Sequence, residues 1–149
     1  MNTHDRAIIL NELANIYAMK MKYTKAINRY KEALSLFISL AKKKPVAYGL
    51  PIAHIFSNLS IIYLNLKKHK ESKALHQNAL KMHRVLSKHN ANKYAVELAQ
   101  CLVDGVLYLN QHSFTLYEAE IAINSIEMKC GKAQLVEAIR KLHAHSVEG

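Results

Sequence analysis

Apolar residues recur along this chain every three or four positions, the spacing of helices with one buried face. Near the amino terminus Leu10, Leu13, Ala14 and Tyr17 fall on one such face. Ala26, Ile27, Tyr30, Ala33, Leu34, Phe37 and Ile38 fall on the next. The polar stretch Lys20 to Tyr23 separates them as a turn, with Thr24 as the N-cap candidate of the second helix. Pro45 to Pro51 reads as a turn-like loop that leads into another helix, carrying Phe56, Leu59, Ser60 and Tyr63. Its partner has Leu75, Ala79, Met82 and Leu86 on one side. A third pair is marked by Gly105 and Tyr108, then by Ala119, Ile123 and Ile126. Gly131 ends that helix. Lys132 to His145 forms one more, with Leu135, Ala138, Ile139 and Leu142 inward.

The pattern repeats. Leu10-Asn-Glu-Leu-Ala-Asn-Ile-Tyr17 returns as Phe56-Ser-Asn-Leu-Ser-Ile-Ile-Tyr63 and, more loosely, as Cys101-Leu-Val-Asp-Gly-Val-Leu-Tyr108. The tyrosines stand 46 and 45 residues apart. Self-similarity at such a period predicts units that bury their apolar faces only by stacking on their neighbours. The expected architecture is an all-α solenoid of three antiparallel helix pairs, about residues 4–43, 50–89 and 92–129. A capping helix over 132–146 completes one domain spanning 1–149. Small side chains at Ala14, Ala26 and Ala33 let paired backbones approach, and the rings of Tyr17, Tyr23 and Tyr30 fill the space beside them. The residues beyond each second helix, Ala41 to Leu50 and Lys88 to Lys93, predict extended helices and longer loops.

Leu10, Leu13, Ala14, Tyr17, Ala26, Tyr30 and Ala33 resemble the signature of the tetratricopeptide repeat family. Phe56, Leu59, Ser60, Tyr63, Ser72, His76 and Ala79 repeat it with polar substitutions. The long period is similar to that of the subgroup found in kinesin light chains. The resemblance implies a protein-interaction module whose first helices line a concave groove that grips a peptide or partner helix. The groove positions it implies are Asn11, Asn15, Asn58, Ile62, Asn65, Val103 and Leu107. A side-chain amide both donates and accepts, so the asparagines suit a peptide backbone whatever its sequence. The chaperone-binding members clamp a terminal carboxylate with two asparagines and several cations. Here Asn11, Ala99 and Val103 stand where the cations would, so that specificity is not expected.

Charge adds a second reading. Lys and Arg number 21 against 11 Asp and Glu, a formal charge of +10. A surplus of that size favours an acidic partner. Lys70, Lys73, Lys81, Arg84 and Lys88 follow helical spacing and form a basic stripe, the basis of an alternative in which nucleic acid or another anionic surface binds there;. No aromatic interleaves with the stripe, which weighs against base stacking. Self-association through residues 1–19 is a further expectation.

Catalytic chemistry has little to stand on. His69, His76 and His83 recur every seven residues, which sets neighbours about 10 Å apart along a helix, too far to share an ion;. No HExxH, Gly-rich phosphate loop or paired carboxylates occur. The expectation is therefore a non-enzyme without cofactor or metal. Cys101 and Cys130 lack metal or disulfide spacing. The segment from Pro45 to Leu66 is long enough for a membrane span but contains Pro51, His54, Asn58 and Asn65, and no transmembrane segment is expected;. With no signal peptide recognisable, a cytoplasmic, intracellular setting is the default.

Overall fold

The computed structural model describes residues 1–109, 115–124 and 132–148. Helices α1 (Thr3–Met19), α2 (Tyr23–Ala41), α3 (Pro45–Asn65) and α4 (His69–His89) are followed by α5 (Ala91–Leu109), α6 (Thr115–Asn124) and α7 (Lys132–Glu148). No strand occurs among the described residues, so the fold is the all-α succession of helix pairs with a closing helix that the periodicity predicts. The chain forms two compact units, Met1–Met82 and His83–Gly149.

In the first unit α2 packs against both α1 and α3. The core takes Ala7 and Ala14 from α1, Ala26, Tyr30, Ala33 and Phe37 from α2, and Ile52, Ile55, Leu59 and Ile62 from α3. Ile38, expected on the same face, remains exposed. Ala14 and Ala26 are wholly buried, and their methyl groups leave room for close helix contact;. Forty-six residues on, the same positions hold Ser60 and Ser72. There two buried hydroxyls replace the methyls and satisfy each other's helix. Ser60 Oγ donates to the Ser72 carbonyl at 2.9 Å, and Ser72 Oγ donates to the Ser60 carbonyl at 2.7 Å. Each single Ser→Ala change removes one of these donors and leaves the other hydroxyl bonded to the facing carbonyl;. The Ser60→Ala, Ser72→Ala double variant, which loses both bonds, is therefore expected to be less stable than either single variant by urea denaturation.

The repeat extends to the backbone of the turns. Lys20, Met21 and Lys22 donate their N–H groups to the carbonyls of Ile16, Ala18 and Tyr17. Leu66, Lys67 and Lys68 donate likewise to Ile62, Leu64 and Tyr63. The middle residue of each turn, Met21 or Lys67, is left-handed, with φ of 58° and 59°. This backbone closure also corrects the cap assignment. α2 begins at Tyr23, with Lys22 at the N-cap position and no capping side chain, so Thr24 lies inside the helix.

A second correction concerns Pro45 to Pro51, which is the start of α3 and not a loop. Pro45 occupies the first helical turn, where its missing N–H costs nothing;. Pro51 lies inside the helix, where a proline typically costs about 3 kcal/mol;. Only a helix here carries Gly49, Ile52, Ala53 and Ile55 into buried positions, and that burial outweighs the proline;. The long period thus lengthens helices and leaves short joints: residues 42–44 link α2 to α3, and Asn90 alone links α4 to α5. Asn90 Oδ1 accepts the Lys93 N–H at 3.1 Å and caps α5;. α3 is long and apolar enough to cross a membrane by length and composition, yet seven of its residues are buried within the protein.

His76 takes the place of Tyr30 in the second pair and is buried. Burial pushes its imidazole below the ordinary histidine range;. The folded protein thus holds His76 neutral while the unfolded chain takes up a proton near pH 6.5;. The sign follows: stability is full above that pH and falls as pH drops below it. A His76→Tyr variant is expected to flatten the decline between neutral and mildly acidic pH, measured as the midpoint of urea unfolding at each pH.

In the second unit α5 packs against α6 and α7, and α6 against α7. Tyr94, Leu98, Leu102, Leu116 and Ile123 are buried there, joined by Leu135 and Ile139 of the closing helix. Ala138 and Leu142 are half-buried beside them. Gly105 keeps the small buried position of the repeat, but Tyr108 is exposed, so the third pair retains the close approach without the packed ring. Ile126, Cys130 and Gly131 lie outside the described residues. Arg84 grips Glu118 with two hydrogen bonds, 2.8 and 2.7 Å, tying the end of α4 to α6.

Candidate functional site

Three helices of the first unit bring amide and phenol groups together. Tyr30 of α2 donates its hydroxyl to Asn15 Oδ1 of α1 at 2.5 Å, and Asn58 Nδ2 of α3 reaches the same oxygen at 3.5 Å. Burial raises the Tyr30 phenol above its ordinary range, the nearby Asn58 amide works the other way, and the charge of Glu12 adds to the rise. The phenol therefore keeps its proton at neutral pH and remains a donor. Two helical turns beyond, Asn65 Nδ2 donates to Tyr23 Oη at 3.2 Å;.

These groups border an open cleft of about 130 Å³ lined by Ala18, Tyr23, Tyr30, Asn58, Ile61, Ile62 and Asn65. Asn58, Ile62 and Asn65, expected from sequence, thus share one cleft, and Asn15 is bonded to two of its lining residues' side chains. Asn11 is half-buried on α1, and its buried Oδ1 has no hydrogen-bond partner. Ile62 is 2% exposed and forms floor, not rim. Val103 is 1% exposed and belongs to the core of the second unit. The buried arc of α5 is wide enough, with Leu98, Ala99 and Leu102, to draw it in. Leu107 is exposed.

Ile61, 55% exposed, is the apolar rim residue that sequence reasoning missed. The signal was present: Asn58, Ile61 and Asn65 are spaced three and four apart and share a helix face;. Ile62, one residue further, points roughly 100° away.

Along α4, Lys70, Lys73, Lys81 and Lys88 are exposed, but Arg84 is engaged by Glu118, whose charge cancels its own. The nucleophile candidates are quiet. Burial and the charge of Asp104 push the Cys101 thiol up to about 12, so it is neutral and unreactive at ordinary pH;. Asp104 is itself raised by burial, against the pull of a hydrogen bond from Gln100 at 2.8 Å. His76 and His83 are buried and His69 is exposed. Among the described residues no three His, Cys, Asp or Glu side chains gather as metal ligands would.

Similarity to a known family falls on the second of these hairpins. A family model for the tetratricopeptide repeat matches residues 52–90, most of α3 together with α4. The tetratricopeptide repeat is shown for that stretch. No curated protein matches the chain. The turn hydrogen bonds of α3–α4 recur in α1–α2 at an offset of 46 residues. Tetratricopeptide repeats mediate protein–protein interactions and are typically non-catalytic scaffolds.

Proposed function

We propose that this tetratricopeptide repeat protein holds an extended peptide or a partner helix against the α1–α3 face of its first unit. The observation that carries this reading is the cleft in which Asn58 and Asn65 flank the exposed Ile61. Ile61 offers an apolar anchor, and the amides on either side bond a passing backbone without regard to its sequence. A shallow, partly polar cleft suits a peptide better than a small molecule, which needs deeper enclosure. The basic stripe supports a polyanion site less well, since Arg84 within it is already paired.

Asn15 is the wrong residue to mutate first, because its loss orphans the buried Tyr30 hydroxyl. The test uses Asn58→Ala with Ile61→Ser. A protein retained by the wild-type chain from nuclease-treated lysate at moderate salt is expected to be lost from this double variant. Equal retention by both would mean that the cleft does not hold the partner.

A further inference from the structure

The net charge is confined to one unit. Residues 1–82 hold fourteen Lys and Arg against four Asp and Glu, whereas residues 83–149 hold seven of each. Within the first unit, much of the surplus lies along one edge, at the α1–α2 and α3–α4 turns. Lys20, Lys22, Lys25, Lys67, Lys68 and Lys70 are all exposed there, and no Asp or Glu occurs within residues 17–25 or 63–70. The two turns are neighbours, because Asn65 at the end of α3 bonds Tyr23 at the start of α2. Two of the ammonium groups rest near tyrosine faces: Lys25 lies 5.7 Å from the Tyr17 ring centre and Lys68 lies 5.8 Å from that of Tyr63;.

Apolar side chains project from the same edge. Met19 is 84% exposed, Met21 is 72% exposed, and Leu66 is exposed as well. Met21 and Lys67 are the left-handed residues at the tips of their turns. From this combination we propose that the turn edge docks on a bilayer carrying anionic phospholipid, with the lysines at the headgroups and Met19 and Met21 entering the boundary with the acyl chains.

Charge complementarity selects an anionic partner, and the methionines select among anionic partners. The tyrosine rings of this edge are half-buried, whereas its most exposed apolar side chains are methionines, from which a nucleic acid gains little;. Tip-mounted apolar side chains ringed by cations are what an interfacial lipid contact requires. Long lysine side chains can lie along the surface while keeping their charges in the headgroup layer. Each lysine near such a surface strengthens partition roughly fivefold.

The experiment is flotation of the full chain with vesicles of phosphatidylcholine mixed with phosphatidylserine, against phosphatidylcholine alone. Binding is expected only to the mixed vesicles. Replacing Lys20, Lys22, Lys67 and Lys68 with Gln is expected to lower partition by about 100-fold or more. Met19→Ser with Met21→Ser is expected to lower it roughly tenfold. Lys42→Gln, Lys43→Gln and Lys44→Gln, at the opposite end of α2, should leave most of it. All these side chains are exposed, and circular dichroism would check that each variant folds. Equal loss in the Lys42–Lys44 variant would reduce the effect to net charge and overturn the proposal. So would a methionine variant that floats like wild type, which would indicate a general polyanion site.

Discussion

Replacing Tyr30 with alanine is expected to lower stability by about 3–5 kcal/mol, far more than a substitution on the surface would. The ring is 1% exposed, and its removal leaves a void where α1, α2 and α3 meet. Because a domain's whole stability is about 5–15 kcal/mol, the variant should be partly unfolded well below the wild-type midpoint. Tyr30→Phe separates ring from hydroxyl. It keeps the packing and removes only the donor to Asn15, which retains its contact with Asn58. The expected cost is about 1–2 kcal/mol. The chain has no tryptophan, so helical circular dichroism during urea denaturation is the suitable readout. Equal losses for the two variants would mean that the hydroxyl network, not the ring, supports the hairpin.

Tyr30 was legible in the sequence because several local signals agree on it. It recurs at helical spacing from Ala26 and Ala33, and the segment before it repeats 46 residues on;. The Ser60–Ser72 pair was legible as the counterpart of Ala14 and Ala26, although the reciprocal bonding was not. Pro45 to Pro51 misled because proline chemistry is local and the burial that overrides it is tertiary. Nothing within seven residues reveals that Ile52 and Ile55 must reach a core supplied by α2. The Arg84–Glu118 pair was hidden for the same reason, its partners lying 34 residues apart.

The candidate site was half legible. Asn58 and Asn65 were found from the repeat register, and both border the cleft. Ile62 lines the cleft as its buried floor, while Ile61 beside it is the exposed rim residue that the register did not single out;. Val103 lies in the core of the second unit, because the repeat gives a position along the helix but not the width of its buried arc.

The second large effect concerns binding. Ile61 leaves over half its surface in water, and Asn58 is half-buried beside it, so truncating both should disturb the core little. Their loss from an interface is a different matter. An apolar anchor and an adjacent hydrogen-bonding amide together typically contribute at least about 2 kcal/mol, or roughly thirtyfold in affinity. The unfolding midpoint of the Asn58→Ala, Ile61→Ser variant should stay close to that of wild type. A matched variant, Lys73→Gln with Lys81→Gln, removes charge from α4 and leaves the cleft untouched.

The most direct measurement is a calorimetric titration of the captured partner into wild type, the cleft variant and the lysine variant, at two salt concentrations. Binding in the cleft predicts a loss of about thirtyfold confined to the cleft variant, with weak dependence on salt. An unchanged cleft variant beside a weakened lysine variant, with affinity collapsing as salt rises, would contradict it and move the interaction to the basic face of α4.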